Sequence, residues 1–270
     1  MGSPHIRRQT SPAVAKTLNV ILTHQAPACV ERMLAWWAHF APPGDVLLAF
    51  GGSEADFRGV AHGQKFFAND PRLRTRDHQR DMQSYTAIFS EASAWMRGSD
   101  FTHVHFCEYD HVPLVRDLNA RQAARLASEN ADVIGCRVLR VDGTCHPHYL
   151  FHASNTAFHG FWKRITCRDD PGVVLSMFVT GSVWTREAFD AVAAVEEPFP
   201  MYLELYLPTL AHHLGFRVRD LPDQNPFVSN LDDMAQSMDE KRATGAWAVH
   251  RVKALWDRAD FLEALTPVAR

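Results

Sequence analysis

The sequence predicts an α/β fold with a mostly parallel central sheet flanked by helices. Three observations carry that expectation. Strand-like and helix-like segments alternate from residue 18 to residue 141. The first three, LNVILTHQ, CVERMLAWWAHF and DVLLAFGG, read as a β-α-β unit, which predicts adjacent parallel strands. Three expected strands finish in polar or small residues, Thr23-His24, Gly51-Gly52 and Glu108-Tyr109-Asp110. In open α/β sheets ligands bind outside such carboxyl ends.

Taken in order, residues 18–25 form a β-branched, apolar strand. Residues 29–40 place Met33, Trp36, Trp37 and Phe40 at helical spacing until Pro42-Pro43-Gly44 stops the helix. Residues 45–52 are a second strand closed by two glycines. A long helix is expected over 79–96, a third strand over 102–110, an amphipathic helix over 117–130 and a further strand over 131–141. The second half reads less regularly. Residues 142–172 show weak periodicity, and 172–182 reads as a strand ending in a small-residue turn. A short helix over 185–195 starts at the N-cap candidate Thr185. Residues 203–216 read as a helix running past Pro208 and capped by Gly215, followed by a short strand over 216–222. Residues 223–250 are expected to be irregular, and 249–265 a closing helix. The organisation expected is a loose arm over 1–17 and one domain over 18–270.

Hydrophobic residues make up 46% of the chain and charged residues 22%, a globular balance. The formal net charge of -3 argues against a basic, nucleic-acid-binding surface. The five cysteines include no C-x-x-C pair, which disfavours a disulfide framework or structural zinc and fits a reducing, cytoplasmic setting. No apolar run approaches the ~20 residues of a membrane span, and the first residues lack the apolar middle of a secretory signal. Nothing in the sequence speaks to oligomeric state.

The chemistry-bearing feature is the strand end FTHVHFCEYDHVPL, residues 101–114. Strand alternation puts Glu108 and Asp110 on one side if the strand persists that far. Two converging carboxylates repel unless a cation sits between them, and oxygen donors suit a hard divalent ion, Mn2+ or Mg2+. Such an ion would hold a diphosphate. The same triplet also fits a solvated strand end before a proline turn.

An apolar strand ending in an acidic x-Asp motif, in a chain that begins with a β-α-β unit, resembles the nucleotide-sugar-dependent glycosyltransferases of the GT-A fold, family-2-like members in particular. Glu108-Tyr109-Asp110 matches that family's D-x-D motif, with Glu in the first place. VTGSVWTREAFDAV (179–192) resembles its small-residue turn and helix before the acceptor region, and PMYLELYLPTLAHHLGFRV (200–218) the helix that carries its catalytic base. WAVHRVKALWD (247–257) resembles its C-terminal histidine segment. The resemblance implies a Rossmann-like nucleotide-sugar-binding half over 18–141 and a mixed, acceptor-binding half over 142–270. It implies Glu204 as base and Asp110, His250 and Glu108 as metal ligands. It implies donor contacts from Thr23, His24, Gly51, Arg76, Arg80, Gln83, Glu108, Tyr109 and Asp110, and acceptor contacts from Gly181, Ser182 and Trp184. The acceptor would be a glycan, a lipid or a small molecule, and the expected outcome is inversion.

Bland readings stand beside these. A glutamate at a helix start is favoured by the helix dipole alone, and Trp184 fits core packing as well as sugar stacking. His103, His105, His111, His146 and His148 raise a zinc-hydrolase alternative, but no H-E-x-x-H pattern is present. Nor is there a G-x-S-x-G turn, a G-x-x-x-x-G-K-[ST] loop or a G-x-G-x-x-G fingerprint. A nucleotidyltransferase on a similar sheet and a non-catalytic nucleotide- or glycan-binding domain complete the alternatives.

Overall fold

The computed structural model describes residues 15–75, 80, 83, 85–229 and 238–252. Residues 1–14 of the expected arm, Arg76 and residues 253–265 of the expected closing helix lie outside the described residues.

The first unit is β1 (Thr17–Thr23), α1 (Pro27–Trp37) and β2 (Val46–Phe50), and β1 and β2 pair in parallel with Thr23 opposite Phe50. On its other side β1 pairs in parallel with β4 (His103–Glu108), Leu22 facing Glu108. β3 (Lys65–Phe67) extends the parallel edge beyond β2. β6 (Val133–Arg140), β7 (Leu175–Thr185) and β8 (Val218–Asp220) complete a seven-stranded sheet in the order β3-β2-β1-β4-β7-β6-β8. Only β7 runs antiparallel to its neighbours β4 and β6. The predicted class is the one observed: a mostly parallel sheet flanked by helices, regular in its first half and mixed in its second. A separate ribbon pairs β5 (Val112–Pro113) with β9 (Ala248–Val249), antiparallel.

Side-chain alternation sorts the core onto two faces. Val104 and Phe106 of β4 face α3 (Thr86–Trp95), α7 (Arg186–Ala193) and α8 (Leu203–His213), where Phe89 stacks on Phe189 at 4.5 Å. Cys107 of β4 and Ile21 of β1 face α1, which buries Val30, Met33, Trp36 and Trp37. A smaller cluster joins Leu126 of α4 (Leu118–Ser128) to Ile134 and Val183.

Several expectations need correction. Of the helix expected over 79–96, Thr86–Trp95 is an α-helix and Arg80 is helical, whereas Gln83 forms an antiparallel bridge with Tyr202. The stretch after Gly52 holds α2 (Glu54–Gly59), β3 and a 3-10 turn (Pro71–Arg74), none of which periodicity revealed. Residues 142–172 are not irregular. They hold α5 (Pro147–His152) and α6 (Thr156–Ile165), the latter capped by Asn155 and buried through Phe158, Phe161 and Trp162. The small-residue turn after Thr180 is not a turn. β7 runs on through Gly181 to Thr185, and the glycine takes a φ of +79°, a left-handed kink that side chains resist. Residues 223–250 include α9 (Met238–Ala243) and β9, and the described start of the expected closing helix, Val249, is extended. The helix over Arg186–Ala193 starts as expected, with Thr185 Oγ1 accepting from the Ala188 N–H at 3.3 Å. α8 runs through Pro208, and Gly215 turns away after it at a φ of +100°.

Candidate metal and ligand site

β4 ends at Glu108, so strand alternation does not align its carboxylate with that of Asp110. A turn does so instead, closed by the His111 N–H donating to the Glu108 carbonyl at 3.0 Å. The Glu108 N–H donates to Thr180 Oγ1 at 3.0 Å, tying the strand end to β7. Gly181 then lies so close to the His111 ring that a Cβ would collide with it. This explains a glycine here: neither the φ nor the space admits a side chain.

Beyond the turn the chain enters β5, whose partner β9 delivers His250. His250 Nε2 lies 3.4 Å from Asp110 Oδ1 and 3.7 Å from Glu108 Oε2. One donor atom from each of Glu108, Asp110 and His250 falls within 4.8 Å of the others. Cis ligands of a small octahedral cation sit about 3 Å apart, so modest side-chain adjustment would close this set around an ion. The Nδ1–H of His250 donates to the Ser229 carbonyl at 3.0 Å, which aims Nε2 at the carboxylates. Both oxygens of Asp110 are buried and have no hydrogen-bond partner. An unsatisfied buried carboxylate is costly, and a cation is its natural complement. Two carboxylates and an imidazole fit Mn2+ or Mg2+.

Electrostatics agree with the geometry. Burial alone would lower the His250 imidazole, but its pairing with Asp110 and then Glu108 outweighs burial and holds the pKa at about 9. A proton on His250 thus balances part of the acidic charge. Burial, reinforced by His105 and His250, pushes His111 well below the ordinary histidine value. Burial, with Glu108 and Asp110, pushes the Cys107 thiol up, so this cysteine is an inert core residue.

The cluster opens into a cavity of about 470 Å3. His24, Gly51 and Tyr109 line it at the carboxyl ends of β1, β2 and β4, with His24 edge-on to Tyr109 at 5.0 Å. Leu73 and Thr75 close one side from the 3-10 turn and the residue after it, and Glu204 faces in from the first turn of α8. Arg251 adds a cation beside His250. The structure therefore brings Glu108, Tyr109, Asp110, His24, Gly51, Glu204 and His250 to one cavity.

Other expected site residues stand elsewhere. Thr23 is fully buried, and its Oγ1 accepts from the Gln25 N–H at 3.3 Å rather than facing the cavity. Ser182 and Trp184 are also fully buried: the indole N–H donates to Ser182 Oγ at 2.8 Å, so this pair satisfies itself inside the core and has no face for an acceptor. Gly181 packs on His111. Arg80 is exposed, and Gln83 is half-buried in its bridge to Tyr202. The sequence reading missed Thr180, Leu73, Thr75 and the Ser229 carbonyl. Backbone acceptors carry no side-chain signal, and the turn that carries Leu73 shows no periodicity.

No protein-family model and no curated protein sequence matches the chain. Among solved structures it is similar to the bifunctional IspDF from Campylobacter jejuni, at 9% identity and a TM-score of 0.43, over 77% of this chain and 50% of that one. It is similar to a 4-diphosphocytidyl-2C-methyl-D-erythritol synthase, at 11% identity and a TM-score of 0.41, over 85% of this chain and 97% of that one. It is also similar to the mannosyltransferase PcManGT from Pyrobaculum calidifontis, in complex with GDP-Man and Mn2+, at 12% identity and a TM-score of 0.39, over 77% of this chain and 55% of that one. The chain thus spans about half the length of the first and third of these proteins.

Proposed function

We propose that the chain is a divalent-metal-dependent glycosyltransferase of the GT-A type, moving a sugar from a nucleoside-diphosphate donor to an acceptor hydroxyl with inversion. The observation that carries this reading is the buried Asp110 carboxylate: both oxygens lack a hydrogen-bond partner while facing His250 and Glu108 at a cavity wall. A polar cavity at the carboxyl ends of parallel strands suits a nucleotide. His24, Gly51 and Tyr109 would border the donor, and Arg251 would meet phosphate charge beside the metal ligands. A bound Mn2+ or Mg2+ supplies Lewis-acid stabilisation of the charge on the departing diphosphate. Glu204, on the α8 side of the same cavity, takes the proton of the acceptor hydroxyl as that oxygen attacks the anomeric carbon. In this reading residues 18–141 bear most of the nucleotide-sugar side and 142–270 the acceptor side, with His250 reaching back to complete the metal set. Among the described residues, no helix is long and apolar enough to cross a membrane.

The test is a panel of nucleotide sugars incubated with Mn2+ and assayed for released nucleoside diphosphate and for pyrophosphate. Nucleoside diphosphate release that Glu204→Gln abolishes, while donor binding persists, supports the reading. Pyrophosphate as the product would instead mark a nucleotidyltransferase.

A further inference from the structure

We propose that His148 positions the Glu204 carboxylate for its proton transfer. The inference rests on Glu204 being the base. His148 Nδ1 lies 2.8 Å from Glu204 Oε2, with the two side chains 19% and 20% exposed. Among the described residues no other side chain forms a hydrogen bond or ion pair with Glu204. The two groups meet as a close polar contact without an aligned hydrogen bond at Nδ1.

The imidazole is itself held. Its ring stacks on Tyr202 at 4.2 Å and 10°, and Tyr202, the N-cap of α8, is almost wholly buried. His146 stands edge-on to His148 at 5.3 Å and shares a hydrogen bond with Ser176 Oγ at 3.3 Å. Thus β7, α8 and the start of α5 together fix one nitrogen against one carboxylate oxygen.

An unrestrained glutamate samples several rotamers, and freezing it in one costs side-chain entropy. A partner that fixes it beforehand removes that cost from the reacting complex. With Oε2 against His148, Oε1 is left for the acceptor. The acceptor O–H bond breaks and its proton passes to Glu204. The acceptor oxygen bonds to the anomeric carbon, and the carbon–oxygen bond to the diphosphate breaks with its electron pair on the leaving group. His148 makes and breaks no bond in this step, and so is a positioning residue.

Two substitutions separate its polar role from its packing. His148→Phe keeps a ring to stack on Tyr202 and deletes the nitrogen, while His148→Asn keeps a donor near the Nδ1 position and deletes the ring. Each is assayed for Mn2+-dependent release of nucleoside diphosphate from a panel of UDP-, GDP- and dTDP-sugars, with Tm recorded alongside. For the donor turned over fastest, His148→Phe should lower kcat roughly 10-fold with donor KM within about twofold, the loss expected when a fixed carboxylate regains its rotamer freedom. His148→Asn should restore most of the kcat. Wild-type kcat in His148→Phe, or equal losses in both variants, overturns the inference. If Glu204→Gln is inactive while His148→Phe is active, only the role of His148 falls. If Glu204→Gln turns over normally, or no donor in the panel is turned over, the reading of the site and this inference fall together.

Discussion

His250 Nε2 faces Asp110 Oδ1 at 3.4 Å, both side chains being buried, although one residue leaves the parallel strand β4 of the sheet and the other follows the ribbon strand β9. The pair is held by backbone on both sides, since the Val252 N–H donates to the Asp110 carbonyl at 3.3 Å and the His250 N–H to the Phe227 carbonyl at 3.0 Å. Each buried group depends on the other, because removing one partner of a buried pair leaves the remaining charge uncompensated.

Asp110→Asn should therefore abolish the Mn2+-induced rise in Tm and also lower the Tm of the metal-free protein below about pH 9, where His250 is its charged partner. A ligand at a hundred times its Kd stabilises by about 2.7 kcal/mol, so the lost shift is readily measured by differential scanning calorimetry. An unchanged Mn2+ shift in the variant would remove Asp110 from the metal set.

A proton on His250 should compete with a metal at this site. Its pKa of about 9 means that binding below that pH displaces a proton, so apparent Mn2+ affinity should rise about tenfold per pH unit between 6.5 and 9. The same shift has a sign for the metal-free fold. The folded value lies above the unfolded one, so its stabilisation is complete below about pH 6.5 and is lost as pH rises through 9. Titration calorimetry in buffers of different ionisation enthalpy counts the released proton, and a buffer-independent heat would contradict the competition.

Gly181→Ala tests the kink that seats His111. It forces a Cβ into a φ of +79° and into the imidazole, which together should cost roughly 2–5 kcal/mol. Adding His111→Ala should recover the steric part and leave the backbone part, a cycle read from denaturant midpoints. A single variant as stable as wild type would show that the strand kink is not needed.

Acid stability should depend on His105. Its Nδ1–H donates to Asn19 Oδ1 at 3.0 Å, and burial pushes its pKa down to about 3. The unfolded chain takes up that proton near pH 6.5, so stability is complete above 6.5 and is lost as pH falls toward 3, by up to about 1.4 kcal/mol per unit. His105→Gln should flatten the stability curve in this window relative to wild type. Parallel curves would assign the acid loss to other groups.

The parts of the fold that were legible are those where one face or both faces of an element are uniformly apolar. The runs containing Val20-Ile21-Leu22 and Leu47-Leu48-Ala49 are buried throughout and read as strands. The pairs Met33–Trp36 and Met33–Trp37 announced α1. The helices over Pro147–His152 and Thr156–Ile165 escaped because histidines interrupt their apolar stripe, although His152 is buried and stacks on Phe158 at 5.0 Å. Gly181 looked like a chain reversal because glycine marks turns more often than kinks within strands. Trp184 looked available because a sequence does not display the Ser182 hydroxyl that satisfies its N–H. Asp110 and His250 could be named from pattern, but their meeting depends on a two-residue ribbon too short to leave a period of its own.

That ribbon has a biosynthetic consequence. All seven strands of the large sheet precede β9 in the chain, so a ribosome releases every one of them before the third donor residue, His250, emerges.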